Sequence, residues 1–398
     1  MGISFFSPLG ASEGRGGRQH SLAARILLHI FDKPSAERLL VKKSAQPSSE
    51  KADWMRSCLE LADSPKDSCL PNPRVGALIL HRNKVISKAF HAGPGKAHAE
   101  ALAIQRARSK GFRKFSEASL YINLEPCCHL NKRTPPCLPL VLDCQFKEIF
   151  IAHPDPNPQV AGRSIRALRR SGAKVEVGLL KEEAEDLNQA FLKNQQEGMP
   201  LVRLKAAMSF DGRWACPNGE SKWISGERSR ALVHHWRAKS QFIGIGYESL
   251  KRDGSRLNAR LGRRSKPKNI LVFGGPKRLG KNLPVIKANG MDRVHQIPSG
   301  VDLRKSLQTL YKEKGVCEIF LEGGPRLATS FLEADLVDHW MIFYGRGLIG
   351  GSARYTIGAD WALKSPQESI KFQPQRVELL GSDVFVEGKL HVYRSRTK

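Results

Sequence analysis

The chain has 398 residues, of which 40% are hydrophobic and 26% are charged, so a wholly disordered or fibrous protein is excluded. This length favours two or three domains. Lys and Arg number 65 against 38 Asp and Glu, a formal net charge of +27. Such an excess favours an anionic partner such as nucleic acid, an acidic membrane surface or a phosphorylated small molecule. No apolar run approaches the roughly 20 residues that a membrane-spanning helix needs, so we predict no membrane partner.

The first 50 residues differ in composition from the rest. Gly and Arg dominate residues 10–19, residues 42–51 are polar and rich in Ser, and a short amphipathic piece, 22–40, lies between them. We predict a poorly structured extension and a cytoplasmic protein. The alternative is an organelle-targeting peptide over residues 1–50, although acidic residues such as Glu13 and Asp32 are unusual in such peptides.

From Ala52 onward, apolar spacing predicts alternating helices and strands, which is typical of an α/β protein. Strands are predicted at Arg74–His81, Lys84–Phe90, Ser119–Leu124, Glu148–Ala152 and Lys174–Val177, and helices at Trp54–Ala62, His98–Arg108, Leu138–Asp143, Gly162–Ser171 and Glu182–Gln195. After a linker at Glu197–Pro200, strands are predicted at Leu201–Ala206, Gln241–Ile245, Asn269–Phe273, Cys317–Leu321, Trp340–Tyr344 and within Glu378–Arg394, and helices at Glu227–Ala238, Leu303–Glu313 and Arg326–Ala334. The predicted domains are therefore 1–50, 51–197 and 198–398.

The most informative cluster is His98-Ala-Glu100, followed by Glu125-Pro-Cys127-Cys128 and, ten positions beyond Cys127, by Cys137. Eight cysteines are too few for a disulfide framework in a chain of this length, so crowded thiols indicate a metal or catalysis in a reducing compartment. One imidazole and two thiolates suit tetrahedral Zn²⁺ and leave one position for water, whose pKa the metal lowers. A glutamate two residues after the histidine can shuttle protons, as in zinc-dependent nucleobase deaminases.

In the second half, the predicted strand Cys317–Leu321 leads into Glu322-Gly-Gly324, and Pro325 follows at a predicted first helical position. Glycines before a helix let backbone N–H groups meet a pyrophosphate, so this segment is a candidate phosphate cradle. Phe242-Ile-Gly244-Ile-Gly246 lacks the third glycine of a dinucleotide-binding motif, and we do not interpret it as one.

Taken together, these motifs resemble those of the bifunctional riboflavin-biosynthesis deaminase/reductase family over roughly Trp54 to Arg394. The resemblance rests on these segments: Pro71-Asn-Pro-Arg-Val-Gly76, His98-Ala-Glu100, Glu125-Pro-Cys127, Arg133-Thr-Pro-Pro-Cys137, Asp155-Pro-Asn-Pro-Gln-Val-Ala-Gly162, Lys205-Ala-Ala-Met-Ser-Phe-Asp-Gly212, Gly219-Glu-Ser-Lys-Trp-Ile224 and Leu321-Glu-Gly-Gly324. It implies a cytidine-deaminase-like three-layer domain followed by a dihydrofolate-reductase-like domain, with Zn²⁺ and NADPH as cofactors.

The resemblance also implies roles for individual residues of the first domain. Glu100 would be catalytic, and His98, Cys127 and Cys137 would bind zinc. Cys128 stays an alternative to Cys127, because one extra residue stands near Asn131 or Lys132 relative to the family pattern. The pyrimidine and its phosphate would contact Asn72, His91, His129 and Arg133.

In the second domain the resemblance implies two sets of contacts. NADPH would contact Ala207, Trp223, Ser249, Asp253, Gly324, Pro325, Arg326, Leu327, Ala328, Thr329 and Ser330. The substrate would contact Ser221, Arg237, Leu257, Arg260 and Glu322. One segment departs from the family: its typical Asp-Asp-Pro-x-Leu-x-x-Arg is here Asp253-Gly-Ser-Arg-Leu257-Asn-Ala-Arg260.

The predicted function has two steps. The first is hydrolytic deamination of 2,5-diamino-6-ribosylamino-4(3H)-pyrimidinone 5′-phosphate, and the second is NADPH-dependent reduction of its ribosyl chain to ribityl. One alternative is a single-activity member of the family with a degenerate reductase domain. Another is a nucleic-acid deaminase with a basic binding domain, but this leaves Lys205–Gly212 and Glu322–Gly324 without a purpose, so nucleic acid is disfavoured as a partner. A homo-oligomer is compatible with the sequence.

Overall fold

The structure is a computed structural model that describes residues 49–64, 69–129, 134–262, 264–351 and 355–391. The predictions for residues 1–48, and that for Arg133, lie outside the described residues. Within this range, no helix combines the length and the apolar character that a bilayer crossing requires.

The first half of the described chain forms a five-stranded sheet in the order β2-β1-β3-β4-β5. Strand β1 runs antiparallel to β2 and β3, whereas β3, β4 and β5 are parallel. Its elements are α1 (Glu50–Asp63), β1 (Gly76–His81), β2 (Lys84–Phe90), α2 (Ala99–Ser109), β3 (Ser119–Leu124), α3 (Cys137–Cys144), β4 (Glu148–His153), α4 (Arg163–Arg170), β5 (Lys174–Val177), α5 (Lys181–Leu187) and α6 (Gln189–Glu197).

Alternation along β1 explains why helices cover both faces of this sheet. Ile79 packs into a core that includes Ile104 of α2, whereas Leu78 packs into a second core with Met55 of α1. Successive residues of a strand point to opposite faces, so an uninterrupted apolar strand requires cover on both sides. The result is a helix–sheet–helix sandwich of three layers.

The second half forms an eight-stranded sheet in the order β11-β10-β7-β12-β6-β13-β15-β14. Its first six strands are parallel to their neighbours, and the β15 and β14 strands are antiparallel. Its elements are β6 (Leu201–Met208), α7 (Glu227–Lys239), β7 (Phe242–Gly246), α8 (Tyr247–Asp253), β8 (Ala259–Leu261), β9 (Arg264–Lys266), β10 (Asn269–Phe273), α9 (Pro284–Asn289), β11 (Val294–Ile297), α10 (Leu303–Lys314), β12 (Glu318–Leu321), α11 (Pro325–Glu333), β13 (His339–Tyr344), β14 (Lys371–Leu380) and β15 (Asp383–His391).

These sheets confirm the predicted α/β fold, but several details differ from the sequence prediction. The single helix predicted over Glu182–Gln195 is two helices, α5 and α6, that meet at Asn188. The Asn188 side chain accepts a hydrogen bond from the backbone N–H of Arg74 (2.8 Å) and donates one to its carbonyl oxygen (3.0 Å). This tertiary contact interrupts the helix. Elements α8, β8, β9, α9 and β11 were not predicted.

Helix α6 joins the two sheets. The Lys193 ammonium donates to both carboxylate oxygens of Asp338 (2.6 and 2.7 Å) beside the second sheet. The Asn194 amide donates to the carbonyl oxygens of Met199 (2.6 Å) and Cys317 (3.1 Å). The helix that precedes the predicted linker is therefore held by the half of the chain that follows it.

The first prediction concerns the contact between α1 and β1. A Cβ atom on Gly76 would lie 2.3 Å from the carbonyl oxygen of Cys58 and 3.1 Å from the backbone nitrogen of Ala62. Gly76→Ala should therefore lower the apparent free energy of unfolding by about 2 kcal/mol, a typical cost of overpacking. Urea denaturation measures this. Gly280→Ala, where a Cβ meets nothing within 4 Å, is the matched control, and equal midpoints for the two variants would contradict the close contact.

Candidate functional site

One imidazole and two thiols converge at the carboxyl edge of the first sheet. The Nδ1 atom of His98 lies 3.4 Å from the Sγ atoms of both Cys127 and Cys137. Among the described residues these three form a group whose ligand atoms lie within 4.8 Å of one another. The structure thus brings together the three residues for which the sequence predicts zinc binding.

Local structure explains how the three side chains meet. His98 is the N-cap residue of α2, Cys127 follows the end of β3, and Cys137 is the first residue of α3 after Pro136. The backbone N–H of Cys137 donates to the Cys127 sulfur at 3.3 Å, a contact that favours a thiolate there. The hydroxyl of Thr134 lies 3.0 Å from Nε2 of His98, so it fixes the ring and leaves Nδ1 toward the sulfurs.

This donor set fits Zn²⁺. Two sulfurs and one imidazole nitrogen are ligands that zinc prefers, and three protein ligands leave a fourth tetrahedral position open. Cys128, the alternative to Cys127, has its thiol 3.7 Å from the carbonyl oxygen of Gln159 instead and is absent from the group.

A cavity of about 610 Å³ opens on this cluster. Glu100 lines it from the first turn of α2, where its side chain is 3% exposed. Asn72, His91 and His129 also line it, as expected from the sequence. Glu100 thus faces the same cavity as His98 and Cys127, where a carboxylate can transfer protons.

Asn72 and His91 are oriented by each other. Nδ1 of His91 lies 3.1 Å from the carbonyl oxygen of Ala97, to which it donates, so Nε2 accepts from the amide nitrogen of Asn72 at 2.9 Å. Burial lowers the pKa of His91, which keeps this ring neutral and able to accept. The Asn72 amide therefore has a fixed orientation in the cavity wall.

The carboxylate of Glu125, two residues before Cys127, is 2% exposed and accepts four backbone hydrogen bonds. The donors are the N–H groups of Asp155 (3.1 Å), Gly162 (2.9 Å), Ser164 (3.0 Å) and Ile165 (3.1 Å). Three of these donors belong to the start of α4 or to the residue that caps it, where the helix dipole favours a negative charge. Glu125 thereby ties the end of β3 to the loop that follows β4.

Sequence reasoning gave no role to several further residues that line this cavity, among them Thr134, Asp155, Asn157, Phe191 and Gln195. Asp155 and Asn157 lie in a motif that was recognised but not interpreted. Phe191 and Gln195 come from α6, one turn apart, and nothing in their local sequence indicates proximity to His98.

Two adjoining cavities, of about 690 and 260 Å³, lie at the carboxyl edge of the second sheet, beside the ends of β7 and β12. They share Ser249, Arg252, Gly324, Pro325 and Tyr355 as lining residues. Ligands of parallel α/β sheets bind at this edge. The larger cavity also takes lining residues from the loops after β10 and β11, which the sequence did not indicate, including Gly274, Gly275, Ser299 and Gly300.

The smaller cavity holds a group of charged side chains. Arg237 of α7 donates from Nε and Nη2 to the two carboxylate oxygens of Glu322, at 2.5 and 2.8 Å. Burial alone would raise the pKa of Glu322, but Arg237 lowers it below its usual value, with help from Lys205. Burial lowers the pKa of Lys205, although Glu322 opposes this effect. Lys205 lies in a recognised motif but was not predicted as a site residue.

Most of the residues expected to contact NADPH or the substrate line these two cavities. They are Ala207, Ser221, Arg237, Ser249, Asp253, Leu257, Glu322, Gly324, Pro325, Arg326, Leu327 and Ser330. Four expected residues are outside the lining: Trp223, Ala328, Thr329 and Arg260. Trp223 is 73% exposed and lies under the guanidinium of Arg230, whereas Ala328 is fully buried. The Thr329 hydroxyl accepts a hydrogen bond from the backbone N–H of Gly358.

The segment between β12 and α11 fits a dinucleotide. A Cβ atom on Gly324 would lie 2.8 Å from the Ser249 hydroxyl, and one on Gly323 would lie 2.8 Å from Leu327. Only glycine leaves the space at the helix start that a pyrophosphate needs to reach backbone N–H groups. Pro325 stands at the first helical position, as predicted.

Comparison with known families matches both halves. Residues 48–153 match the family described as the cytidine and deoxycytidylate deaminase zinc-binding region, and residues 200–386 match the RibD C-terminal domain. The fold and site thus define a zinc-binding deaminase domain joined to a reductase domain. The predicted boundary at residues 197–198 lies between the two matches and stays a prediction.

Relatives match most of the chain. The riboflavin biosynthesis protein RibD of Actinobacillus pleuropneumoniae is 33% identical over 359 residues, which cover 84% of this chain and 94% of that protein. The crystal form 1 structure of Acinetobacter baumannii RibD is 32% identical, with a TM-score of 0.76 over 85% of this chain and 98% of that chain.

A Thermotoga maritima structure, described as a diaminohydroxyphosphoribosylaminopyrimidine deaminase/5-amino-6-(5-phosphoribosylamino)uracil reductase, is 28% identical with a TM-score of 0.76, and it matches 85% of this chain and 98% of that chain. The chain belongs to the RibD family, the bifunctional deaminase and NADPH-dependent reductase of riboflavin biosynthesis.

The second prediction separates the two candidate thiol ligands. Cys127→Ala and Cys137→Ala should each reduce bound zinc from about one ion per chain to a small fraction of that, because three ligands hold a catalytic zinc. Cys128→Ala should keep its zinc. Elemental analysis of the purified variants measures this, with circular dichroism to compare folding. Loss of zinc in Cys128→Ala together with its retention in Cys127→Ala would reverse the assignment.

Proposed function

We propose that the chain deaminates 2,5-diamino-6-ribosylamino-4(3H)-pyrimidinone 5′-phosphate and then reduces the ribosyl chain of the product to ribityl. The observation that carries this proposal is the group of His98, Cys127 and Cys137, with Glu100 lining the same cavity as His98 and Cys127. The name of the Thermotoga maritima relative supports the phosphorylated pyrimidine as substrate.

In the deaminase cavity, His98, Cys127 and Cys137 would hold Zn²⁺, which when bound would supply a Lewis acid that makes water nucleophilic near neutral pH. Glu100 would accept one proton of the attacking water and pass it to the ring nitrogen, and would then move the second proton to the leaving amino group, so that the ring gains a carbonyl and ammonia departs. Asn72 reads the edge of the ring, because His91 holds its amide in one orientation. His129 and Arg133 are proposed to contact the phosphate.

In the reductase cavity, Lys205 would donate a proton to the substrate atom that develops negative charge as the ribosyl carbon is reduced. A buried ammonium with a lowered pKa gives up its proton more readily than an exposed lysine. NADPH would bind along Ser249 and the Gly324–Ser330 segment and supply the hydride. Glu322 holds Arg237 in place and balances the charge of this cavity.

The structure disfavours a single-activity protein with a degenerate reductase domain. Asp253 and Leu257, in the segment that differs from the family pattern, still line the reductase cavity together with Lys205, Arg237 and Glu322. A cytoplasmic location is supported by the eight cysteines, all of them described and none in a disulfide, as expected in a reducing compartment. Homo-oligomerisation stays a prediction.

The third prediction isolates the first step. Glu100→Gln should slow ammonia release at least about 10²-fold, because general acid–base groups contribute on the order of 10²–10⁴. Its zinc content, and its NADPH oxidation with substrate deaminated beforehand, should match those of the unmodified chain. Glu60→Gln, on an exposed turn of α1, is the matched control. Unchanged ammonia release from Glu100→Gln would exclude the proposed proton transfer.

The fourth prediction isolates the second step. Lys205→Met should lower NADPH oxidation with deaminated substrate about 100-fold through loss of the proton donor, while ammonia release stays unchanged. Absorbance at the NADPH band follows the reaction. Lys251→Met, an exposed lysine of α8, should have no effect. A parallel loss of both activities in Lys205→Met would point to a folding defect, which thermal denaturation would reveal.

A further inference from the structure

His234 of α7 is in contact with Arg260, which follows the first residue of β8. Nε2 of His234 lies 3.2 Å from Nε and 3.1 Å from Nη2 of the Arg260 guanidinium, and Nδ1 lies 3.3 Å from the backbone nitrogen of Arg260. Arg237, which lines the reductase cavity, is one turn further along the same helix. The imidazole thus stands beside the charged group of that cavity.

The imidazole is neutral at physiological pH. Burial and the positive charges of Arg237 and Arg260 lower the pKa of His234 to about 4, against the raising effects of Glu322 and of a hydrogen bond to the backbone of Asn258. A neutral imidazole carries its single proton on one nitrogen. With that proton on Nδ1, toward the backbone of Asn258, Nε2 has a free lone pair and accepts from Nε and Nη2 of Arg260.

The two arginines at this site differ in their charge balance. Glu322 neutralises Arg237 through two hydrogen bonds. In the described part of the chain no acidic side chain pairs with Arg260, and its pKa is lowered by partial burial and by Arg237 and Arg256, both positively charged. A neutral acceptor orients a guanidinium without cancelling its charge, whereas a carboxylate would do both. Arg260 therefore keeps its full charge for an anion.

The segment that carries Arg260 departs from the family pattern at two positions. Gly254 adopts a left-handed conformation with φ of 56°, and Ser255 stands where the family pattern has proline. Glycine and serine restrict the backbone less than aspartate and proline would. Contacts of His234 on both sides of Ala259, to Asn258 and to Arg260, add to the restriction that the pairing of Arg260 with Ser265 in the β8–β9 hairpin supplies.

We propose that His234 is a positioning residue that holds the Arg260 guanidinium toward the phosphate of the reductase substrate. This inference rests on the proposed function, in which Arg260 contacts a phosphorylated substrate. His234 itself touches no reacting atom. It orients the Arg260 guanidinium without neutralising its charge. Arg260 itself is not among the residues that line the cavity.

The fifth prediction tests this with deaminated substrate and its dephosphorylated counterpart. His234→Ala should raise KM for the phosphorylated substrate on the order of tenfold, the effect of one hydrogen bond to a charged group, and change kcat less than about twofold. KM for the dephosphorylated compound should stay unchanged. His234→Gln, which keeps a neutral acceptor, should restore most of the lost affinity.

Two further variants make the test sharp. In an Arg260→Ala background, His234→Ala should have no additional effect on KM, since the imidazole acts through that guanidinium. His235→Ala, the neighbouring and exposed histidine, is the matched control and should behave as the unmodified chain. Additive effects of His234→Ala and Arg260→Ala, or an equal KM increase for both substrates, would overturn the proposal.

The same measurements separate this inference from the proposed function. If the unmodified chain does not oxidise NADPH with the deaminated phosphorylated substrate, the proposed function fails. If it does so, and Arg260→Ala leaves KM unchanged, the function stands and the positioning role of His234 is overturned. Thermal denaturation of each variant shows whether a KM change accompanies a loss of fold.

Discussion

The buried carboxylate of Glu125 is the interaction on which the deaminase site depends. Four backbone N–H groups surround it, and their donors span the loop after β4 and the start of α4. A buried carboxylate without hydrogen-bond partners is costly, so these four donors offset the cost of burying this side chain. Because Glu125 is two residues from Cys127, the same bonds that satisfy the carboxylate also fix the strand end that carries this residue of the candidate zinc site. The cavity wall at Asp155 is fixed with it.

Three modes of charge compensation coexist in this strongly basic chain. Glu125 is satisfied by neutral amides, Arg237 by the opposite charge of Glu322, and Arg260 by a neutral imidazole. In the first two cases the charge of Glu125 or Arg237 is compensated by other groups of the protein. In the third case the positive charge of Arg260 is left for a ligand. Net charge alone cannot distinguish these cases. The partner of each ionic group determines whether it serves the fold or the substrate.

Most of the strands and the three residues of the candidate zinc site were predictable from sequence because their signals are local. A short apolar run such as Ser119–Leu124 predicts a buried strand without knowledge of its neighbours. In His98-Ala-Glu100, the expected metal ligand and the expected proton-transfer group lie within three residues of the sequence. The break between α5 and α6 was not predictable, since it depends on Asn188 binding a backbone 114 residues away. Short helices such as α8 and α9 show too few turns for a clear period. Phe191 and Gln195 reach the cavity only through the packing of α6.

Helix α6 has a consequence for how the two activities could be separated. Its Phe191 and Gln195 wall the deaminase cavity, while Lys193 and Asn194 are bonded to the other half of the chain. If the protein were divided into two chains before Gln189, the deaminase half would lack Phe191 and Gln195, which line its cavity. A division after Glu197 would keep that wall but leave Lys193 without its carboxylate partner. The boundary between the two catalytic units in space therefore runs along one helix and does not coincide with any single peptide bond.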